Sequence, residues 1–299
     1  MNLLLTGANG FLGKSIIKQL SEKYNLFKLS RFGCDYNFSL DRQIPYFDEP
    51  FDLVIHAAGK AHSVPKTEKQ KKEFYEINVL GTENLLKGLE RVGLPKEFIF
   101  ISSVSVYGLE FGRAINEDFP LEARDSYGLS KIKAEKFVID WCKKNDVICT
   151  VLRLPLLIGK DAPGNFGAML KAIERGYYFN IDYGRARKSM LLAQDVASIV
   201  PVVASIGGIY NLTDGVHPDF KELGNAIAKQ KKKKTPLSLP LFIMKLIGYI
   251  GDILGDKAPV NSSKIKKITS DLTFDDSKAR KVLDWNPQSV LDYLKNNNF

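Results

Sequence analysis

The sequence predicts an α/β fold: a doubly wound parallel sheet followed by a smaller C-terminal α/β lobe. Three observations carry this. Short apolar runs alternate with helical patterns through the first half of the chain, a glycine-rich turn joins the first run to the first helix, and the alternation breaks at about Pro155.

The first run, residues 2–5, contains Leu3-Leu4-Leu5, stops at Thr6-Gly7 and has no basic segment ahead of it. It reads as a strand, not as the apolar core of a secretion signal. Residues 26–29, 53–57, 98–102 and 147–152 are further apolar runs of strand length. Between them, 13–23, 73–90 and 130–145 show the 3.6-residue spacing of helices packed on one face. Such alternation specifies a parallel sheet covered on both sides, and right-handed crossovers make it doubly wound. Beyond Pro155, pieces such as Asp161-Ala162-Pro163-Gly164 separate smaller helices from isolated strands. The expected division is a dinucleotide-binding domain over 1–155, rejoined near 188–212, and a substrate lobe made mainly from 156–299. Residues 237–254 are apolar but contain Lys245, glycines and Asp252, so a helix of the lobe is expected there and no stable membrane insertion.

With 44% hydrophobic and 26% charged residues among 299, disordered and collagen-like classes drop out. Cys34, Cys142 and Cys149 are odd in number and lack metal-ligand spacing. They read as reduced thiols of a cytoplasmic protein, with no metal site. The net charge of +9 and the run Lys231-Lys232-Lys233-Lys234 come without a nucleic-acid-binding motif, so no nucleic-acid partner is expected. Positive charge equally steers a phosphorylated small molecule to the surface.

Two constellations carry chemistry. Thr6-Gly7-Ala8-Asn9-Gly10-Phe11-Leu12-Gly13 follows the first strand and opens a helix. Glycines there let the backbone approach a pyrophosphate that the helix N-terminus attracts. Tyr127 and Lys131 stand at i and i+4, which sets a phenol and an ammonium on one helical face. A nearby cation stabilises phenolate, so Lys131 is expected to lower the Tyr127 pKa. Ser103, near the carboxyl end of the run at 98–102, adds a hydroxyl at the edge where doubly wound sheets bind ligands.

These motifs, with Leu53-Val54-Ile55-His56-Ala57-Ala58-Gly59, Asn78-Val79-Leu80-Gly81-Thr82, Leu152-Arg153-Leu154-Pro155 and Leu283-Asp284-Trp285-Asn286-Pro287, resemble the extended short-chain dehydrogenase/reductase superfamily, the group of UDP-galactose 4-epimerase. The resemblance covers nearly the whole chain. It implies a Rossmann-type sheet and a reaction at a sugar hydroxyl or ketone. Tyr127 would be acid or base, Lys131 would hold the nicotinamide ribose, and Ser103 would position the reacting oxygen. It further places Gly7, Asn9, Gly10, Phe11, Leu12, Gly13, Ala57, Ala58, Gly59, Asn78 and Pro155 along the cofactor. His56, by contrast, reads as a satisfied core histidine.

Departures from subfamily patterns narrow the reaction. Similar dehydratases have an Asp-Glu pair where this chain has Val104 and Ser105, so dehydration is not expected. Similar epimerases have Asn where this chain has Leu156, and Arg where it has Lys188; a lysine does not reproduce an arginine fork at a phosphate. Ser105, Asn165, Arg187 and Lys188 are the expected substrate contacts besides Ser103 and Tyr127. Arg31 stands beyond the second strand, where a basic residue accommodates a 2′-phosphate; NADP(H) is therefore favoured, with NAD(H) the alternative because Asp35 follows closely. Segments such as Ala58-Gly59-Lys60-Ala61-His62 are similar to bacterial reductases of UDP-4-keto-6-deoxy-N-acetylhexosamines, which serve surface polysaccharide biosynthesis. The expected function is that C4 reduction in a cytoplasmic homodimer. The alternatives are a UDP-hexose 4-epimerase and, from another class, a non-catalytic dinucleotide sensor.

Overall fold

The opening leucines form β1 (Asn2–Thr6), and Leu3, Leu4 and Leu5 are wholly buried. The computed structural model describes residues 1–61, 63–254 and 261–296. After β1 come α1 (Phe11–Leu20), β2 (Asn25–Ser30), β3 (Tyr36–Asn37), β4 (Leu53–His56) and α2 (Glu68–Tyr75). A π-helical turn, Glu76–Leu80, leads into α3 (Gly81–Val92) and β5 (Glu97–Ser103). A 3₁₀ turn, Val104–Tyr107, precedes β6 (Gly112–Ile115), α4 (Ser126–Lys144) and β7 (Ile148–Leu154).

Seven strands form one parallel sheet in the order β3-β2-β1-β4-β5-β7-β11, the last being β11 (Gly208–Asn211). The chain winds outward from β1 to β3 and then crosses back to β4. The order reverses between β1 and β4, and a crevice opens at their carboxyl ends. Successive β1 side chains point to opposite faces. Leu3 and Leu5 join Ile16 and Leu20 of α1, whereas Leu4 joins Leu85 and Leu89 of α3 and Val138 of α4. Burial on both faces explains why the strands read as continuous apolar runs.

The remaining elements are β8 (Leu156–Ile158), α5 (Gly164–Glu174), β9 (Phe179–Ile181), a turn at Asp182–Gly184, β10 (Met190–Leu192), α6 (Ala193–Ile206) and α7 (Phe220–Gln230). Beyond them lie β12 (Leu237–Leu239), α8 (Leu241–Leu254), α9 (Ser262–Thr269), β13 (Leu272–Phe274), α10 (Ser277–Leu283) and α11 (Val290–Asn296). A separate core gathers Phe166, Met169, Leu223, Ile227 and Val290.

Three details differ from the sequence reading. The helix expected from 130 starts at Ser126, because the Asp125 carboxylate caps it by accepting the Tyr127 and Gly128 N–H groups. The helix expected over 73–90 is interrupted by the π turn. Residues 237–239 form a strand paired with β9, and the helix expected there begins only after Pro240. Ala279, Leu283 and Trp285, far along the chain, pack into the sheet core with Leu3 and Leu152.

Candidate active site

The glycine turn lies at the switch in strand order. Gly7 has φ of +71°, and a Cβ there would stand 2.7 Å from Ala58 N and 2.8 Å from the Ala57 carbonyl carbon. Only glycine offers both that conformation and that space. At Gly13 a Cβ would stand 2.3 Å from Gly7 O. Gly10 begins α1 without a side-chain cap, so the first-turn N–H groups and the positive end of the helix dipole face the crevice. This bare cradle fits the pyrophosphate of a dinucleotide.

Asn9 donates from Nδ2 to Phe32 O (2.7 Å) and ties the turn to the loop after β2, where Arg31 is exposed. Asp35 is turned back onto β2: its carboxylate accepts the Lys28 N–H at 2.8 Å and lies 3.8 Å from the Lys28 ammonium. Leu12 packs on the sheet core and Phe11 on the lobe core, where a Cβ on Gly159 would stand 2.9 Å from the Phe11 ring.

After β4, Ala57 and Ala58 lie against Gly7, and a Cβ on Gly59 would stand 3.1 Å from Asn78 Oδ1 and 3.9 Å from Lys131 Nζ. Asn78, in the π turn, brackets this loop. Its Oδ1 accepts the Lys60 N–H (2.6 Å), and its Nδ2 donates to Lys60 O (3.0 Å) and Ser130 Oγ (2.8 Å). His62 lies outside the described residues.

His56 is buried between two threonines, with Nδ1 2.6 Å from Thr6 Oγ1 and Nε2 2.9 Å from Thr82 Oγ1. The Thr82 hydroxyl donates to Asn78 O at 2.7 Å, so its oxygen accepts from His56 Nε2–H, and Nδ1 accepts from Thr6. Burial, with Lys131 nearby, lowers the imidazole pKa to about 3. Both ring nitrogens are therefore used in holding β1, β4 and the first turn of α3 together.

Ser103 ends β5, and its Oγ accepts the Ser105 N–H (3.2 Å) and bonds Ser105 Oγ (3.1 Å). Burial raises the Tyr127 phenol pKa and Asp125 adds to it, against the opposing influence of the Ser103 hydroxyl. Lys131 Nζ donates to Ile101 O at 2.7 Å and stands 4.3 Å from the centre of the Phe100 ring. Burial lowers the ammonium pKa to about 8, against the opposing charge of Glu135. The expectation that Lys131 lowers the Tyr127 pKa is thus not met: desolvation outweighs any help from the ammonium, which is engaged by Ile101. Pro155 follows β7 beside Ser103, since Leu154 is the register partner of Ser103.

Sequence reasoning missed the buried support behind these groups. Arg153 donates to Glu135 through Nη2 (2.8 Å) and Nε (3.2 Å), Ser102 donates to the same carboxylate, and Arg153 Nη1 donates to the Tyr107 hydroxyl at 3.0 Å. Glu135 stands four residues beyond Lys131, and that spacing was the available signal.

The expected substrate contacts are spread more widely. Ser105 lines a hollow with Glu110, Arg124, Asp125 and Lys267. Arg187 lines an adjoining groove of about 880 Å³ with Arg113, Arg185, His217, Lys266 and Asp271. Lys188 is turned aside, donating to Lys267 O at 3.1 Å, and Asn165 is exposed in the first turn of α5. No local motif marks Arg113 or the α9 lysines. Pairing of β13 with β6 draws their segments together.

The family model described as NAD dependent epimerase/dehydratase matches residues 3–212. The chain belongs to this family. It is 29% identical to the N-acetyl-alpha-D-glucosaminyl-diphospho-ditrans,octacis-undecaprenol 4-epimerase of Escherichia coli O157:H7, over 93% of this chain and 88% of that protein. It is also 29% identical to the GDP-6-deoxy-D-mannose reductase of Pseudomonas aeruginosa, over 76% of this chain and 79% of that one. The NADPH-bound structure of RMD from P. aeruginosa superposes with a TM-score of 0.75 at 22% identity, covering 98% and 96% of the two chains. This epimerase/dehydratase family member is therefore an enzyme of the extended short-chain dehydrogenase type, with a Rossmann-type sheet.

Proposed function

We propose that the enzyme reduces the C4 ketone of a UDP-4-keto-6-deoxy-N-acetylhexosamine with NADPH, in the cytoplasm, for surface polysaccharide. The observation that carries this reading is at the end of β2: Arg31 is exposed beside the glycine turn, while the nearby carboxylate, Asp35, is spent on Lys28. A cation without a competing carboxylate suits the 2′-phosphate of NADP(H), the cofactor of reductive metabolism. The P. aeruginosa protein of the same fold binds NADPH.

When bound, the nicotinamide supplies the hydride. Tyr127, its phenol kept protonated by burial, donates a proton to the alkoxide that forms. Ser103 bonds that same oxygen, and Lys131 leaves Ile101 O to hold the ribose. Gly7, Gly10 and Gly13 admit the pyrophosphate, and Arg187 with its cationic neighbours receives the diphosphate of the sugar. Leu129 and Phe137, exposed on α4, belong to the surface through which we expect a homodimer.

A second reading, 4-epimerisation, is favoured by the E. coli relative, whose match spans more of this chain. Mixing the enzyme with NADPH and, in parallel, the 4-keto sugar or a UDP-hexose that has a C4 hydroxyl separates the two. The reductase reading expects stoichiometric loss of NADPH absorbance; interconversion of C4 epimers with no net loss of cofactor contradicts it.

A further inference from the structure

Helix α8 is built inside out. Its buried side is thin: Met244, Gly248 and Gly251 face the protein. A Cβ on Gly248 would stand 2.6 Å from Ile265 Cδ1 and 3.2 Å from Ser262 Cα, so the glycine lets α9 approach closely. The bulky residues face out. Phe242, Leu246, Tyr249 and Ile253 are 72%, 63%, 64% and 71% exposed, with Ile247 and Ile250 also exposed. Positions 242, 246, 249, 250 and 253 recur at helical spacing and make one apolar stripe along a helix of 14 residues, about 21 Å long. A soluble surface rarely leaves such a stripe uncovered.

Among the described residues the charged side chains around it are mainly cationic. Lys245 is exposed on α8; Lys264, Lys266 and Lys267 belong to α9; and the exposed Lys232, Lys233 and Lys234 precede β12. Asp252, the acidic residue of α8, is drawn toward α9, accepting the Ser262 N–H at 3.1 Å. An apolar stripe with a cationic border is the pattern of a helix lying in an anionic lipid interface. A second copy docked face to face through the same patch would oppose lysines to lysines. No helix among the described residues is long and apolar enough to cross a membrane, so such contact is peripheral.

We propose that α8 seats the enzyme on an anionic phospholipid bilayer, with its outer stripe among the upper acyl chains and the neighbouring lysines at the headgroup phosphates. The seat adjoins the site. α8 packs on α9 and on the turn at Asp182–Gly184; α9 contributes Lys266 to the groove and Lys267 to the hollow beside Ser105, and the turn leads directly to Arg185 and Arg187. Docking thus lays the cationic flank of the substrate site along the membrane, whichever way the C4 chemistry runs.

Flotation of the whole protein with vesicles of phosphatidylcholine alone, or with about one third phosphatidylglycerol, tests this. Binding is expected on the anionic vesicles, weakening with salt. A Phe242→Gln, Leu246→Gln, Ile253→Gln variant should lose at least tenfold in bound fraction, with turnover of a soluble nucleotide sugar unchanged. In a Tyr249→Trp variant the indole emission should shift to the blue when anionic vesicles are added. Absence of flotation, equal flotation of the triple variant, no shift at Trp, or a wild-type dimer that the triple substitution splits in lipid-free buffer each overturns the proposal, the last in favour of a second copy covering α8.

Discussion

Tyr127 and Lys131 share a helical face, but the Lys131 ammonium bonds Ile101 O and burial governs the Tyr127 phenol. The division of labour predicts separable losses. Tyr127→Phe should lower kcat by about 10²–10⁴-fold, the usual worth of a positioned acid, while NADPH binding measured by fluorescence quenching stays intact. Arg31→Ala should weaken NADPH by roughly 10–100-fold, the loss of a charge-assisted hydrogen bond, and leave NADH nearly unchanged. Titration with both cofactors reads that selectivity. His56 carries a pH prediction. Its folded pKa of about 3 lies below the ordinary value of 6.5, so the unfolded chain binds the proton more readily. The contribution is therefore complete above about pH 6.5 and falls by about 1.4 kcal/mol per pH unit as pH drops toward 3. Denaturant titrations at several pH values should show that slope, and a His56→Gln variant should flatten it.

At the scale of elements, α4 is held from behind. The Arg153–Glu135 pair joins β7 to α4 one turn past Lys131, and both side chains are almost fully buried. Truncating one partner strands the other charge, so Arg153→Ala should cost about 3–5 kcal/mol in unfolding free energy. The start of α4 was within reach of the sequence, since Asp125 is an N-cap residue immediately before Ser126. The apolar periodicity alone placed the start later, at 130. The π turn carries no such mark; it is fixed by the Asn78 bracket between Lys60 and Ser130, a contact between distant segments.

Across the whole molecule, strands and glycine turn were legible because burial on both faces leaves continuous apolar runs and because tight backbone approach at Gly7 and Gly13 demands glycine. The cationic groove was not. Arg113 and Lys266 reach it through the pairing of β6 with β13, a long-range contact that no local spacing announces. α8 was half legible: its apolar content showed a helix, but which side faced the protein depended on Gly248 meeting Ile265. The central claim, net reduction at C4, is tested most directly with NADPH deuterated on the transferred face of the nicotinamide C4. Deuterium at C4 of the sugar product, one atom per NADPH consumed, is the predicted result. No deuterium transfer to the 4-keto sugar, together with epimerisation of a UDP-hexose that keeps its original C4 hydrogen and consumes no NADPH, would contradict it.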